Sequence, residues 1–213
     1  MARPKKDLSR GAATRQQNKR VLIVCEGEKT EPYYLDDLVR DLRIHAQVKV
    51  TGDCGSAPIS VVEHAIDLFN ADPSYEFVYC VFDRDGHVSF DDAVRKVSAT
   101  KLRGKGRGRV EPDVHFEAIT SVPCFEYWVL LHYVNSNAPL LRFCNVLPLL
   151  KKHKGLEAYD KGSRKLYSII KDKTDTAIAN SRRVLAAAER DGISNPLTKM
   201  HSLVESLRSL STV

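Results

Sequence analysis

Two short stretches of the sequence carry acids where chemistry is commonly built. The apolar run at 21–25 ends in Glu26-Gly27, and the run from about 77 to 82 ends in Asp83-Arg84-Asp85-Gly86-His87. Carboxylates gathered in one place repel one another and lose hydration at a cost unless a cation neutralises them. A ligand set made only of acid oxygens suits Mg²⁺ or Mn²⁺, whereas zinc takes His or Cys. In an open parallel sheet, ligands lie beyond the carboxyl ends of the strands, near the point where the strand order reverses. If the two strands are neighbours, Glu26, Asp83 and Asp85 converge there. A spacing of two places Asp83 and Asp85 on one side of extended backbone. The same residues allow a plainer reading, because "DRDG" is good turn chemistry and acids after strands often cap the next helix.

A second set of residues stands behind these. Glu126 lies in "PCFEYWVLL", among aromatic and aliphatic helical neighbours, and is read either on a solvated face or facing the carboxylate edge. Phe125 and Trp128 are expected in the core. His87 follows the D-x-D and could relay a proton or touch phosphate, and a surface-turn histidine reads equally well. Lys161, Gly162 and Arg164 in "YDKGSRK" could bind phosphate, as could any exposed loop of that composition. The histidines show no H-x-x-x-H or H-E-x-x-H, so a zinc site is not expected. There is no G-x-x-x-x-G-K-[ST], hence no Walker-type nucleotide site. Five cysteines with no C-x-x-C spacing read as reduced thiols, with Cys25, Cys80 and Cys124 buried.

The elements that must position these groups are read from periodicity. The short β-branched run at 21–25 is a buried strand. Thr30 is a plausible N-cap for a helix with Pro32 in its first turn and Tyr33, Leu35, Leu38, Val39 and Leu42 inward. "AQVKVTG" alternates as a strand, and "SAPISVVEHAIDLF" is a helix starting near Ser56 or Ser60. A strand at 77–82, the helix "SFDDAVRKVSAT", the strand "VHFEAIT" and the helix "PCFEYWVLLHYV" follow. This alternation predicts an α/β fold with a mostly parallel sheet flanked by helices on both faces. From about residue 136 the pattern is helical with no convincing strand. The expected organisation is a basic tail at 1–20, an α/β domain at 21–135 and a helical C-terminal region at 136–213.

Charge is unevenly placed. Residues 1–20 hold seven Lys or Arg and one Asp, which accounts for the whole net charge of +6. "KLRGKGRGR" adds Lys101, Arg103, Lys105, Arg107 and Arg109, and without it the remainder is about −5. Basic segments attract phosphate backbones by counterion release, so DNA or RNA is the expected partner; a solvated tail and loop are the bland alternative. With 43% hydrophobic and 28% charged residues, the composition is that of a soluble globular protein. No apolar run approaches the roughly 18 residues that span a bilayer, and the N-terminus has no signal-like apolar segment. No membrane association is expected, and the expected location is the cytoplasm.

"VLIVCEGEKTE" and "VFDRDGH" resemble the two signatures of the Toprim domain found in topoisomerases, bacterial primases and OLD-family nucleases. The resemblance is closer still to RloB-like proteins. It extends over "KKDLSR", "CEGEKTEPYYL", "GSAPISVVE", "VFDRDGH", "PCFEYWVLLH", "YDKG" and "NPLTKMHSLVE", in that order. It implies a Toprim, Rossmann-like α/β fold and a Mg²⁺-dependent phosphodiester site. Glu26 would be a metal ligand or general acid/base and Asp83 and Asp85 metal ligands, with the metal polarising phosphate and activating water near neutral pH. Glu31 would support a second ion, in a segment one residue longer than the similar OLD arrangement. The resemblance also implies a setting in restriction and abortive-infection (phage-defence) loci, often beside an AAA-type or ABC-type ATPase, with self-association open. The resulting expectation is a metal-dependent nuclease. Its rivals are a non-catalytic Toprim-like partner of an ATPase and a primase-like nucleotidyltransferase.

Overall fold

The computed structural model describes residues 19–44, 46–55, 57–105 and 112–211. The run Arg20–Cys25 forms β1, and its five apolar residues are buried on both sides, as a central parallel strand requires. Beside it lie β2 (Gln47–Thr51) and β3 (Phe77–Asp83), both parallel to β1. Next come β4 (His115–Val122), parallel to β3, and β5 (Leu197–Thr198), antiparallel to β4. The order is β2-β1-β3-β4-β5, so the chain steps outward from β1 to β2 and then returns to the other side of β1. The switch point of the sheet therefore falls between β1 and β3, the two strands that end in the candidate acids.

Both faces are covered, as the alternating pattern predicts. Val21, Ile23, Tyr79, Val81 and Ile119 pack under α1 (Thr30–Asp41), α4 (Glu126–Leu131), α7 (Thr174–Asp191) and α8 (Met200–Ser209). Two shorter helices, α5 (Phe143–Leu150) and α6 (Leu166–Ile170), extend this layer. Leu22, Val24, Val78, Cys80 and Phe82 point the other way, under α2 (Pro58–Ala71) and α3 (Phe90–Ala99). All six residues of α4 are buried, as suits a helix that is apolar nearly all round. Phe125 and Trp128 are core residues as expected, and Trp128 Nε1 donates to the Tyr34 hydroxyl at 3.0 Å. Cys25, Cys80 and Cys124 are buried free thiols. Among the described residues no helix is long and apolar enough to cross a membrane.

Three local expectations change, and one is made specific. In α1 it is Tyr34 that is buried, while Tyr33 stays partly exposed, because the inward face meets Phe125, Trp128 and Tyr167 one residue on from the periodic estimate. Thr30 is the first helical residue rather than the cap, and its hydroxyl accepts from the Gly162 N–H at 2.9 Å. The second helix starts at Pro58, near Ser60 as expected, after Ala57 in extended backbone; Ser56 lies outside the described residues. The C-terminal stretch contributes β5, whose two residues are too few to leave a period in sequence. Its place is set by pairing with Ser121 and Val122 and by a hydroxyl bond between Ser121 and Thr198 at 3.1 Å.

Candidate functional site

Glu26 leaves β1 with its N–H still bonded to the Val81 carbonyl at 2.9 Å, so the ladder carries it level with the end of β3. There its Oε2 accepts from the Asp83 N–H at 2.9 Å and its Oε1 lies 3.1 Å from His87 Nε2. Burial raises the Glu26 pKa, opposed by the Asp83 N–H and His87, while the charge of Asp85 adds to the rise. Asp83 is half-buried, and its Oδ2 accepts from the Phe125 N–H at 3.0 Å, at the start of α4. Desolvation, with the charges of Glu31 and Glu126, holds its pKa well above the ordinary range.

The D-x-D does not stay extended. The strand stops at Asp83, and the next residues turn through Gly86 at φ +84, leaving Asp85 exposed. Asp85 and Asp83 therefore do not share one face of a strand; the turn bonds, His87 N–H to the Arg84 carbonyl and Asp85 N–H to the Pro123 carbonyl, redirect the chain. Asp85 nevertheless remains near enough to Glu26 for its charge to be felt there.

Two further acids face the same cleft of about 540 Å³, which is lined by Glu26, Gly27, Glu31, Glu126, Lys161 and Gly162 among others. The Glu31 carboxylate lies over Gly27, where a Cβ would collide with its Oε2. Desolvation, then the charges of Glu126 and Glu26, push the Glu31 pKa up to about 7, against the pull of Lys161. Glu126 is 1% exposed, which places it on the carboxylate edge rather than on a solvated face. Its Oε1 accepts from the Tyr159 hydroxyl at 3.0 Å and lies 4.0 Å from Lys161 Nζ, while its Oε2 is buried with no partner. Burial lowers the affinity of Lys161 for its proton, but the charges of Glu126, Asp83 and Glu31 outweigh this and leave its pKa raised.

The donors fit a hard divalent cation in chemistry. They are carboxylate oxygens, they repel one another, and one buried oxygen is unsatisfied. They are not preassembled: among the described residues no three acid, His or Cys side chains are gathered closely enough to hold a metal ion. A cation would have to draw them together.

The predicted basic contacts divide between the two ends of the sheet. Lys161 lines the acidic cleft with its Nζ 4.4 Å from the Phe143 ring, and Arg164, two residues after the cleft-lining Gly162, stacks over the Tyr33 ring at 4.0 Å. The Arg103 backbone forms an isolated antiparallel β-bridge with that of Asp113, just before β4, and the Lys105 N–H bonds to the Pro73 carbonyl, before β3 begins. These two are thus at the amino ends of the strands, a strand length of roughly 23 Å from the acids. Lys105 lines a separate cavity of about 410 Å³ there, with Arg20, Tyr75, Phe77, Asp113 and His115. Arg107 and Arg109 lie outside the described residues, as do residues 1–18 of the tail.

Sequence reasoning missed Tyr159 and the role of Thr30. The quoted "YDKG" contains Tyr159, but nothing local tells that its hydroxyl meets an acid 33 residues earlier.

Fold and site together define an α/β protein with an acid-lined cleft at the switch point of its sheet. The chain belongs to the RloB-like protein family, whose family model matches residues 21–207, from the first strand into the last helix. No curated protein and no solved structure matches it.

Proposed function

We propose that this protein is a Toprim-like, Mg²⁺- or Mn²⁺-dependent nuclease that hydrolyses nucleic-acid phosphodiesters, acting as a phage-defence effector beside an ATPase. The observation that carries this reading is the convergence of Glu26, Glu31 and Glu126 on one cleft, with Asp83 joined to Glu26 through its N–H and close enough to feel Glu31 and Glu126, and with Glu126 Oε2 buried and unsatisfied. Glu26, Asp83 and Asp85 would hold the cation, with Glu31 and Glu126 in support. A bound divalent ion supplies Lewis-acid polarisation of phosphate and eases deprotonation of water. The chain's own residues do the rest. The Asp83 N–H fixes Glu26 Oε2, His87 faces Glu26 Oε1 and can accept or return a proton there, and Lys161 and Arg164 offer positive charge to a phosphate at the rim.

A second reading, a non-catalytic scaffold regulating an ATPase, is favoured by two observations. Asp83 Oδ2 is already engaged by the Phe125 N–H, and among the described residues the acids are not gathered for a metal. The discriminating experiment is cleavage of mixed DNA and RNA with Mg²⁺ or Mn²⁺ by the wild type, Asp85→Ala and Asp83→Ala/Asp85→Ala. Asp85 is exposed, so its replacement leaves the fold intact. Metal-dependent cleavage lost in both variants supports the nuclease. If toxicity in cells carrying the ATPase survives both variants, the scaffold reading takes its place.

A further inference from the structure

Glu126 is the one charged side chain in its helix, and it is held by a contact from outside that helix. The residues around 159–164 come from the C-terminal half, and two of them, Lys161 and Gly162, line the cleft. Tyr159 donates to Glu126 Oε1 at 3.0 Å, and the Gly162 N–H donates to the Thr30 hydroxyl at 2.9 Å. Tyr159 itself is 6% exposed. One carboxylate oxygen is therefore spoken for, and the other, Oε2, is left buried and unpaired on a residue that lines the cleft.

We propose that Tyr159 is a positioning residue that holds Glu126 by Oε1 so that Oε2 is presented to a divalent cation in the cleft. This rests on the cation-dependent reading of the site and names a residue that the acidic motifs do not. The geometry is that of an outer hydrogen bond fixing the orientation of a ligating carboxylate, whose loss typically costs 10- to 100-fold in metal affinity. It also explains why a charge sits in an otherwise apolar helix. An unpaired buried carboxylate oxygen is costly in the free protein, and that cost is relieved when a cation arrives.

The test is calorimetric titration of Mn²⁺ into the metal-stripped full chain, for wild type, Tyr159→Phe, Glu126→Gln and the double variant, with thermal denaturation alongside. Phenylalanine keeps the ring and removes only the donor. The expected result is Mn²⁺ binding weakened about tenfold or more in Tyr159→Phe. In the Glu126→Gln background the same change should have no further effect, a non-additivity that a merely structural role would not produce. Wild-type affinity in Tyr159→Phe, or an undiminished effect in the Glu126→Gln background, overturns the assignment of Tyr159 and leaves the cation reading standing. A wild type that takes up no Mn²⁺ overturns both.

Discussion

The backbone N–H of Asp83 donates to Glu26 Oε2 at 2.9 Å, so the acid that ends β1 is tied to the main chain that ends β3. The bond crosses the switch point of the sheet and joins the two acidic motifs through backbone, so only the Glu26 side chain is needed to make it. Glu26→Gln retains an oxygen for this donor and removes only the charge. The expected outcome is a melting temperature near that of the wild type with nucleic-acid cleavage reduced at least about 100-fold. Equal cleavage in Glu26→Gln would remove Glu26 from the chemistry.

The raised carboxyl groups make the metal-free protein sensitive to pH in a defined direction. The pKa of Glu31 rises from its ordinary value near 4.5 to about 7, and those of Glu26 and Asp83 are raised as well. Between those limits these three carboxyls hold more protons in the folded chain than in the unfolded one, so their contribution to stability falls as pH increases. Buried His132, held down to about 4, and His201, also lowered, contribute in the opposite direction below the ordinary histidine range. The carboxyl contribution is isolated by the difference between wild type and Glu31→Gln in EDTA: the variant should gain melting temperature relative to the wild type from about pH 4.5 to 7. A difference that stays constant or shrinks over that window would contradict the burial and crowding of Glu31.

The same crowding predicts how a cation acts. Mn²⁺ should stabilise the protein more at pH 8 than at pH 5, because the acids are then ionised and repel. At 100 times the dissociation constant the gain is about 2.7 kcal/mol. Differential scanning calorimetry at the two pH values, with and without Mn²⁺, checks this. An identical shift at both would place the ion elsewhere.

Gly27 is required by what lies over it, since the Glu31 carboxylate occupies the space where a Cβ would go. Gly27→Ala must displace Glu31 from the cleft. The expected outcome is a folded protein with weakened Mn²⁺ binding and a smaller decline of stability with pH. Circular dichroism and calorimetry would show it, and unchanged Mn²⁺ affinity would exclude a role for Glu31.

Cations at the two ends of the sheet should not be equivalent. Arg164 stacks over Tyr33, two residues after the cleft-lining Gly162, and Lys105 belongs to the opposite cavity. Arg164→Glu should raise KM for an oligonucleotide severalfold and reduce the salt dependence of binding by about one charge. Lys105→Glu should change cleavage little. Measuring KM across a salt series for both variants decides it; the reverse ranking would put the substrate path at the far end.

What the sequence by itself determined is local. The β-branched runs, the placement of Glu26 and Asp83 at strand ends and the strand–helix alternation are written in neighbouring residues, because strand and helix periods repeat within a few positions. Adjacency of β1 and β3 followed only as a condition, and the sheet order met it. The rest was decided by tertiary structure. On the inward face of α1, Leu35 and Leu38 are buried as expected but Tyr34 replaces Tyr33, because the partner surface, not the period, selects which ring is buried. Asp85 leaves the strand plane because the turn at Gly86 is bonded to Arg84 and Pro123. Glu126 becomes a site residue because an apolar helix is buried whole and Tyr159 reaches it from 33 positions away. Such contacts carry no local signature, since the side chains that make them are brought together by the packing of helices on the sheet rather than by their spacing along the chain.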